Sequence, residues 1–142
     1  MYRVVKSIIS IVLIALLTAC GTNTPTLGFA PNKQLVEKAI ALQLSQTQQR
    51  LTQQLHSSPP KFEITQVKLK QLEPLFINSL PTYHFRGTYS LKFKLGKQPL
   101  TQQNNQFEVY LQRQNEGKTW RLAIPQQSEP GASVTWRSYL IQ

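Results

Sequence analysis

The apolar residues of this chain change period once, at the segment "HSSPP" spanning residues 56–60, and that change bounds what the chain can fold into. Before it, Val36, Ile40, Leu44, Thr47, Leu51 and Leu55 recur at spacings of four and three, with Leu35, Ala39 and Leu42 on the flank. Such spacing puts the side chains on one face of a helix. Asn32 suits an N-cap, Glu37 lies in the early turns where negative charge favours the helix dipole, and no Gly or Pro falls between Asn32 and Ser58. The pattern predicts one long helix over residues 31–57.

After the break the period is two. Residues 61–72 read as a strand in which Phe62 and Ile64 share one phase and Val67 and Leu69 the other. A slip of one residue predicts a bulge near Thr65 or Gln66. In residues 82–95, "TYHFRGTYSLKFKL", Tyr83, Phe85, Tyr89, Leu91, Phe93 and Leu95 alternate with His84, Arg86, Thr88, Ser90, Lys92 and Lys94. Gly87 interrupts the apolar phase, where it would bend the strand or admit the helix closely. A polar loop, "GKQPLTQQNN", is expected next, then strands at residues 106–114, at "KTWRLAI" with Pro125 ending it, and at residues 133–141. One long N-terminal helix packed on a curved antiparallel sheet of four or five strands is an α+β arrangement.

The pentapeptide Gly117-Lys118-Thr119-Trp120-Arg121 and this order of elements resemble the cystatin-like superfold, including its nuclear-transport-factor-2-like cones. The resemblance implies a helix on a curved sheet and, between the two, a concave site. It selects no activity, because that superfold hosts inhibitors, enzymes and adaptors alike. Two departures stand out: one helix is evident where the cone has more, and the Gln-x-Val-x-Gly loop of protease-inhibiting cystatins is missing.

The first twenty residues carry Arg3 and Lys6, an apolar run from Ile8 to Leu17, and then the only cysteine, in Leu17-Thr18-Ala19-Cys20. A basic start, a short apolar run and small residues form a secretory signal. Its end resembles the bacterial lipobox, in which cleavage falls just before a cysteine whose sulfur carries a diacylglyceryl group. The resemblance implies a signal peptide at 1–19 and lipidated Cys20; the small, polar, proline-containing stretch through residue 31 reads as a flexible tether, and the length that remains as a single domain over 32–142. The lipobox resemblance also implies a protein of the bacterial cell envelope, held to a membrane on the exported side. Gly21, in place of the Asp that retains some lipoproteins at the inner membrane, leans toward the outer one. With Cys20 consumed, no thiol remains for a disulfide or a nucleophile.

Charge narrows the partners. The 142 residues hold 16 Lys and Arg against 6 acids, every acid a Glu, and removal of Arg3 and Lys6 with the signal leaves 14 against 6. Such an excess favours an acidic protein, anionic lipid or acidic glycan; nucleic acid is not expected on the exported side. Lys68 and Lys70 share one phase of the first strand, and His84, Arg86, Lys92 and Lys94 share the polar phase of the second, with Arg121 opposite in phase to Trp120. These seven residues are expected to form a basic, outward sheet face, on which His84 is an exposed strand residue.

Catalytic chemistry does not emerge from the sequence. Without Asp, the Asp-rich calcium loops and Asp-based triads are excluded. His56 and His84 have no Cys or Asp beside them, so no metal site or cofactor is expected. Glu63, Glu73 and Glu108 are not forced together by their spacing. The reading is a non-catalytic binding or assembly component. The alternative is a carrier or enzyme with an aromatic-lined pocket between helix and sheet, with Tyr83, Tyr89 and Trp120 as its handles.

Overall fold

A computed structural model describes residues 23–56, 58 and 60–141. The expected signal peptide at 1–19 and the expected lipidation site, Cys20, lie outside the described residues. A 3-10 turn, Leu27–Phe29, leads into helix α1, Lys33–Leu55, followed by strands β1 (Phe62–Ile77), β2 (Leu80–Leu95), β3 (Gln98–Arg113), β4 (Trp120–Gln126) and β5 (Thr135–Leu140). The strands form one antiparallel sheet in the order β1-β2-β3-β4-β5. Among the described residues one α-helix and five strands make an α+β arrangement.

Asn32 caps the helix, its side chain accepting from the Leu35 N–H at 3.0 Å, and His56 closes it in the left-handed conformation. Val36, Ala39 and Ile40 are buried against Val67, Tyr83, Phe85, Tyr89, Phe107, Val109, Leu111 and Leu122. The spacing makes one apolar face along the whole helix, but only its first part is buried. The last members of that face leave the core, Leu51 being 52 % and Leu55 72 % exposed.

The hairpins set the register. Between β1 and β2 the turn is Asn78-Ser79, both at positive φ, and between β2 and β3 it is Gly96-Lys97, with Gly96 at φ +65. Two-residue turns with positive φ match the twist of antiparallel strands. The bulge expected near Gln66 is present: pairing shifts between Thr65 and Lys68, with Gln66 at φ 52, and shifts again between Leu69 and Gln71. Element ends differ from the sequence reading by a residue or two in several places, and three differences involve proline or the expected loop. β1 runs on through Pro74 to Ile77, the expected polar loop after Leu95 is strand from Gln98 onward, and β4 continues one residue past Pro125. Pro74, Pro81, Pro99 and Pro125 all sit where their strand is paired on one side only, so the missing N–H breaks no ladder.

Gly87 serves β1 rather than the helix. A Cβ at this position would collide with the Lys68 carbonyl oxygen and approach the Phe107 ring to 2.8 Å. The glycine lets the bulged strand β1 lie close against β2.

Residues 25–30 are not a free tether. Pro25 is buried and Ala30 packs on the core. The Tyr83 hydroxyl donates to the Thr26 carbonyl at 2.6 Å, and the Arg113 guanidinium lies 4.9 Å above the Phe29 ring.

Candidate functional site

Residues directly opposite on neighbouring strands share a sheet face. Thr88 faces Lys68, Arg86 faces both Gln71 and Glu108, His84 faces both Glu73 and Tyr110, and Gln112 faces Arg121. All lie on the face away from the core, as do Lys92 and Lys94 by alternation along β2. Lys70 falls in the second bulge and has no register partner.

The seven residues of the expected basic face divide into two groups. Lys68, Lys70, Lys92 and Lys94 are exposed. Among the described residues the ion pairs are His84 with Glu73, His84 with Glu108 and Arg86 with Glu108, so no lysine takes part in one. Arg86 also donates to Gln71 at 3.4 Å, and Arg121 donates to the Ser138 hydroxyl at 3.0 Å and carbonyl at 3.1 Å, tying β4 to β5. These two arginines are spent on the sheet.

His84 is not an exposed strand residue: it is 4 % exposed. Tyr110, its neighbour on β3, stacks flat on the imidazole with ring centroids 4.1 Å apart, and Trp136 from β5 meets Tyr110 edge-on at 4.9 Å. Nε2 lies 2.6 Å from Glu108 Oε1, and Nδ1 lies 3.6 Å from Glu73 Oε2. An ionised carboxylate only accepts, so Nε2 carries a proton. Burial works against the Glu108 charge, but hydrogen bonds and attraction from His84 and Arg86 outweigh it and hold the carboxyl below its ordinary value. The Tyr110 hydroxyl is pushed up by burial first and by the Glu108 charge second.

The Asn78-Ser79 turn brings the Glu73 and Glu108 carboxylates to one histidine, by fixing Glu73 opposite His84 while β3 supplies Glu108 on the other side. Alternation alone could not find this. It assigns His84 to the polar phase but does not tell that a tyrosine on the next strand covers it.

At the far end of the same strands, a 600 Å³ surface depression is lined by Lys61, Lys92, Lys94, Phe62, Phe93 and Leu100, among others. Lys97 follows in the β2–β3 turn and is exposed. Lys61, Lys92, Lys94 and Lys97 and the apolar tips of β1, β2 and β3 thus share one end of the sheet.

A second concavity opens where β3 parts from β4. Their ladder covers only Tyr110–Arg113 with Trp120–Ala123, and before Tyr110 β3 is paired on one side. The resulting 420 Å³ groove is bordered by Ile40, Leu44, Tyr89, Phe107, Glu108 and Ile124 among its lining residues. Of the three expected pocket handles only Tyr89 reaches it. Burial raises the Tyr89 hydroxyl's pKa. Tyr83 is fully buried and bonded to Thr26, and Trp120 tilts against it at 5.9 Å.

Among the described residues no cluster of three or more His, Cys, Asp or Glu is arranged to hold a metal ion, and no helix is long and apolar enough to cross a membrane. Compared with known proteins, the chain matches no family model, no curated protein and no solved structure.

Proposed function

We propose that this chain is an exported bacterial lipoprotein of the cell envelope, anchored through acylated Cys20, which binds an acidic partner without catalysis. The lipobox Leu17-Thr18-Ala19-Cys20 supports the anchor, and two or three acyl chains exceed the single chain that gives only marginal binding. In the same reading the body is a cystatin-like domain, a helix seated on a curved sheet. The observation that carries the binding role is that exposed Lys68, Lys70, Lys92 and Lys94 enter no ion pair among the described residues. Glu63 stands opposite Lys92 across the β1–β2 ladder, yet the two form no ion pair, so the four lysines stay open to an incoming anion.

The anchor is tested by metabolic labelling with a palmitate analogue, which is expected to mark the native chain and not a Cys20→Ala variant. For the binding role, the lipidated protein on neutral phosphatidylcholine vesicles is titrated with fluorescent polyglutamate. Reversal of Lys68, Lys70, Lys92 and Lys94 to Glu should abolish binding, and salt should weaken it in the native protein, since the screening length is about 10 Å at 0.1 M. Equal binding by the reversed variant would remove the electrostatic role.

The 420 Å³ groove with Tyr89 and Glu108 on its wall favours a second reading, a carrier of a small molecule. Its size falls within the roughly 300–1,000 Å³ of ligand sites. Native mass spectrometry of the purified protein tests it by looking for a copurifying ligand.

A further inference from the structure

We infer that the end of the domain carrying Leu27 and Phe29 lies against the bilayer and fixes the orientation of the sheet; the inference rests on the reading of Cys20 as the lipid anchor. Leu27 and Phe29 are 59 % and 60 % exposed, although both are large and apolar. They sit in a 3-10 turn that Tyr83 fastens to the core through Thr26, with Phe29 beneath Arg113. The turn is therefore part of the rigid body.

Thr26 is six positions after Cys20, with five residues between them, so the fastened turn lies within about 20 Å of the anchor even with the chain fully extended. Acyl chains in the membrane therefore keep this end of the domain within about that distance of its surface. Phe76, also exposed, stands one pair from the β1–β2 turn at the same end. The cations there are Lys33 at the helix start and Lys118 in the β3–β4 turn, both exposed, in addition to Arg113. One acid, exposed Glu116, shares the β3–β4 turn with Lys118. Apolar and aromatic side chains with Lys and Arg in excess at the same end suit the headgroup boundary, where the apolar part enters the acyl region and the charge stays wet.

The orientation has a consequence for the lysines. Leu95 lies twelve positions beyond Tyr83 along strand β2, about 40 Å of extended chain. Lys92, Lys94 and Lys97 therefore point away from the anchoring membrane and toward a partner in the space beyond it, not toward the lipids that hold the protein.

The test uses the full lipidated protein in vesicles of phosphatidylethanolamine and phosphatidylglycerol. Because Cys20 is the only native cysteine, a Leu27→Cys or a Lys97→Cys variant offers a single thiol for a bimane label. Quenching by doxyl lipids should be strong at position 27, at a depth of about 5–10 Å into the interface, and lost at position 97. Quenching at neither position, in protein that floats with the vesicles and carries the palmitate analogue, overturns the contact while leaving the anchor standing. Quenching at 97 and not 27 overturns it by reversing the orientation. A label at 27 that is shielded from water but unquenched means a protein contact covers the turn, which also overturns the proposal. Native protein that takes up no palmitate removes both readings together.

Discussion

The Tyr83 hydroxyl bonds the Thr26 carbonyl across 57 positions of sequence, joining the 3-10 turn at Leu27–Phe29 to the centre of the core. Burial raises the pKa of Tyr83, with the Arg113 charge opposing, so the hydroxyl remains a donor at neutral pH. Tyr83→Phe removes the donor and keeps the ring. The expected cost is about 0.5–1.5 kcal/mol, the net worth of one such hydrogen bond. Hydrogen exchange should quicken at the Phe29 and Ala30 amides, whose own bonds run to Thr26 and Leu27. If only global stability falls and these two amides keep their protection, the turn is held by packing rather than by the tyrosine.

Glu108 predicts an acid-range dependence. Its folded pKa lies below the ordinary value of 4.5 despite the cost of burial, because His84 and Arg86 favour the charged form. A depressed carboxylate contributes stability that is fully present above its unfolded pKa and is lost as pH falls through the folded one. Glu108→Gln should therefore lower the melting temperature at neutral pH and flatten the fall in stability through the carboxylate range. Because Glu108 is half exposed, solvent screens the effect and it remains small. Parallel curves for the two proteins would show that the ion pairs are energetically silent.

Gly87 is a steric requirement of the β1 bulge, since any Cβ there meets the Lys68 carbonyl and the Phe107 ring. Overpacking of this kind costs typically 1–3 kcal/mol, and backbone is slow to yield. Gly87→Ala should lower the urea midpoint by that order and weaken exchange protection in β1 from Lys68 to Gln71. Gly28, with open space around it, is the control: Gly28→Ala should leave stability within about 0.5 kcal/mol.

The parts of the fold that the sequence disclosed are those governed by local chemistry. Asn32 marks the helix start because its side chain satisfies an orphan N–H, and the slip from Ile64 to Val67 marks the bulge because side chains alternate strictly on a strand. Pairing overrode composition elsewhere. Gln98–Asn105 is poor in β-formers, yet the two-residue turn at Gly96 holds it against β2. The site was harder to read because it depends on which residues meet across strands. His84, Glu73, Glu108 and Tyr110 come from three strands, and only the register assembles them. The four exposed lysines were legible, since none of them enters an ion pair among the described residues; Arg86 and Arg121 were not, since Glu108 and Ser138 take up their guanidinium groups.

Helix α1 separates periodicity from burial. Leu51 and Leu55 continue the spacing of Val36 and Ile40, but the helix touches the sheet mainly through its first half, where Val36, Ala39 and Ile40 are buried. A repeat can thus extend past the surface that first required it. Ile40→Ala should cost about 2–5 kcal/mol, the range for deleting a buried aliphatic side chain. A combined Leu51→Ser and Leu55→Ser variant should shift stability by less than about 1 kcal/mol, since substitutions at exposed sites are usually within 0.5 kcal/mol each. Urea denaturation of the three proteins gives both values. A loss in the serine variant approaching that of Ile40→Ala would mean that the last two turns bury their leucines in solution, against a second copy or a partner, and the protein concentration dependence of the transition would tell which.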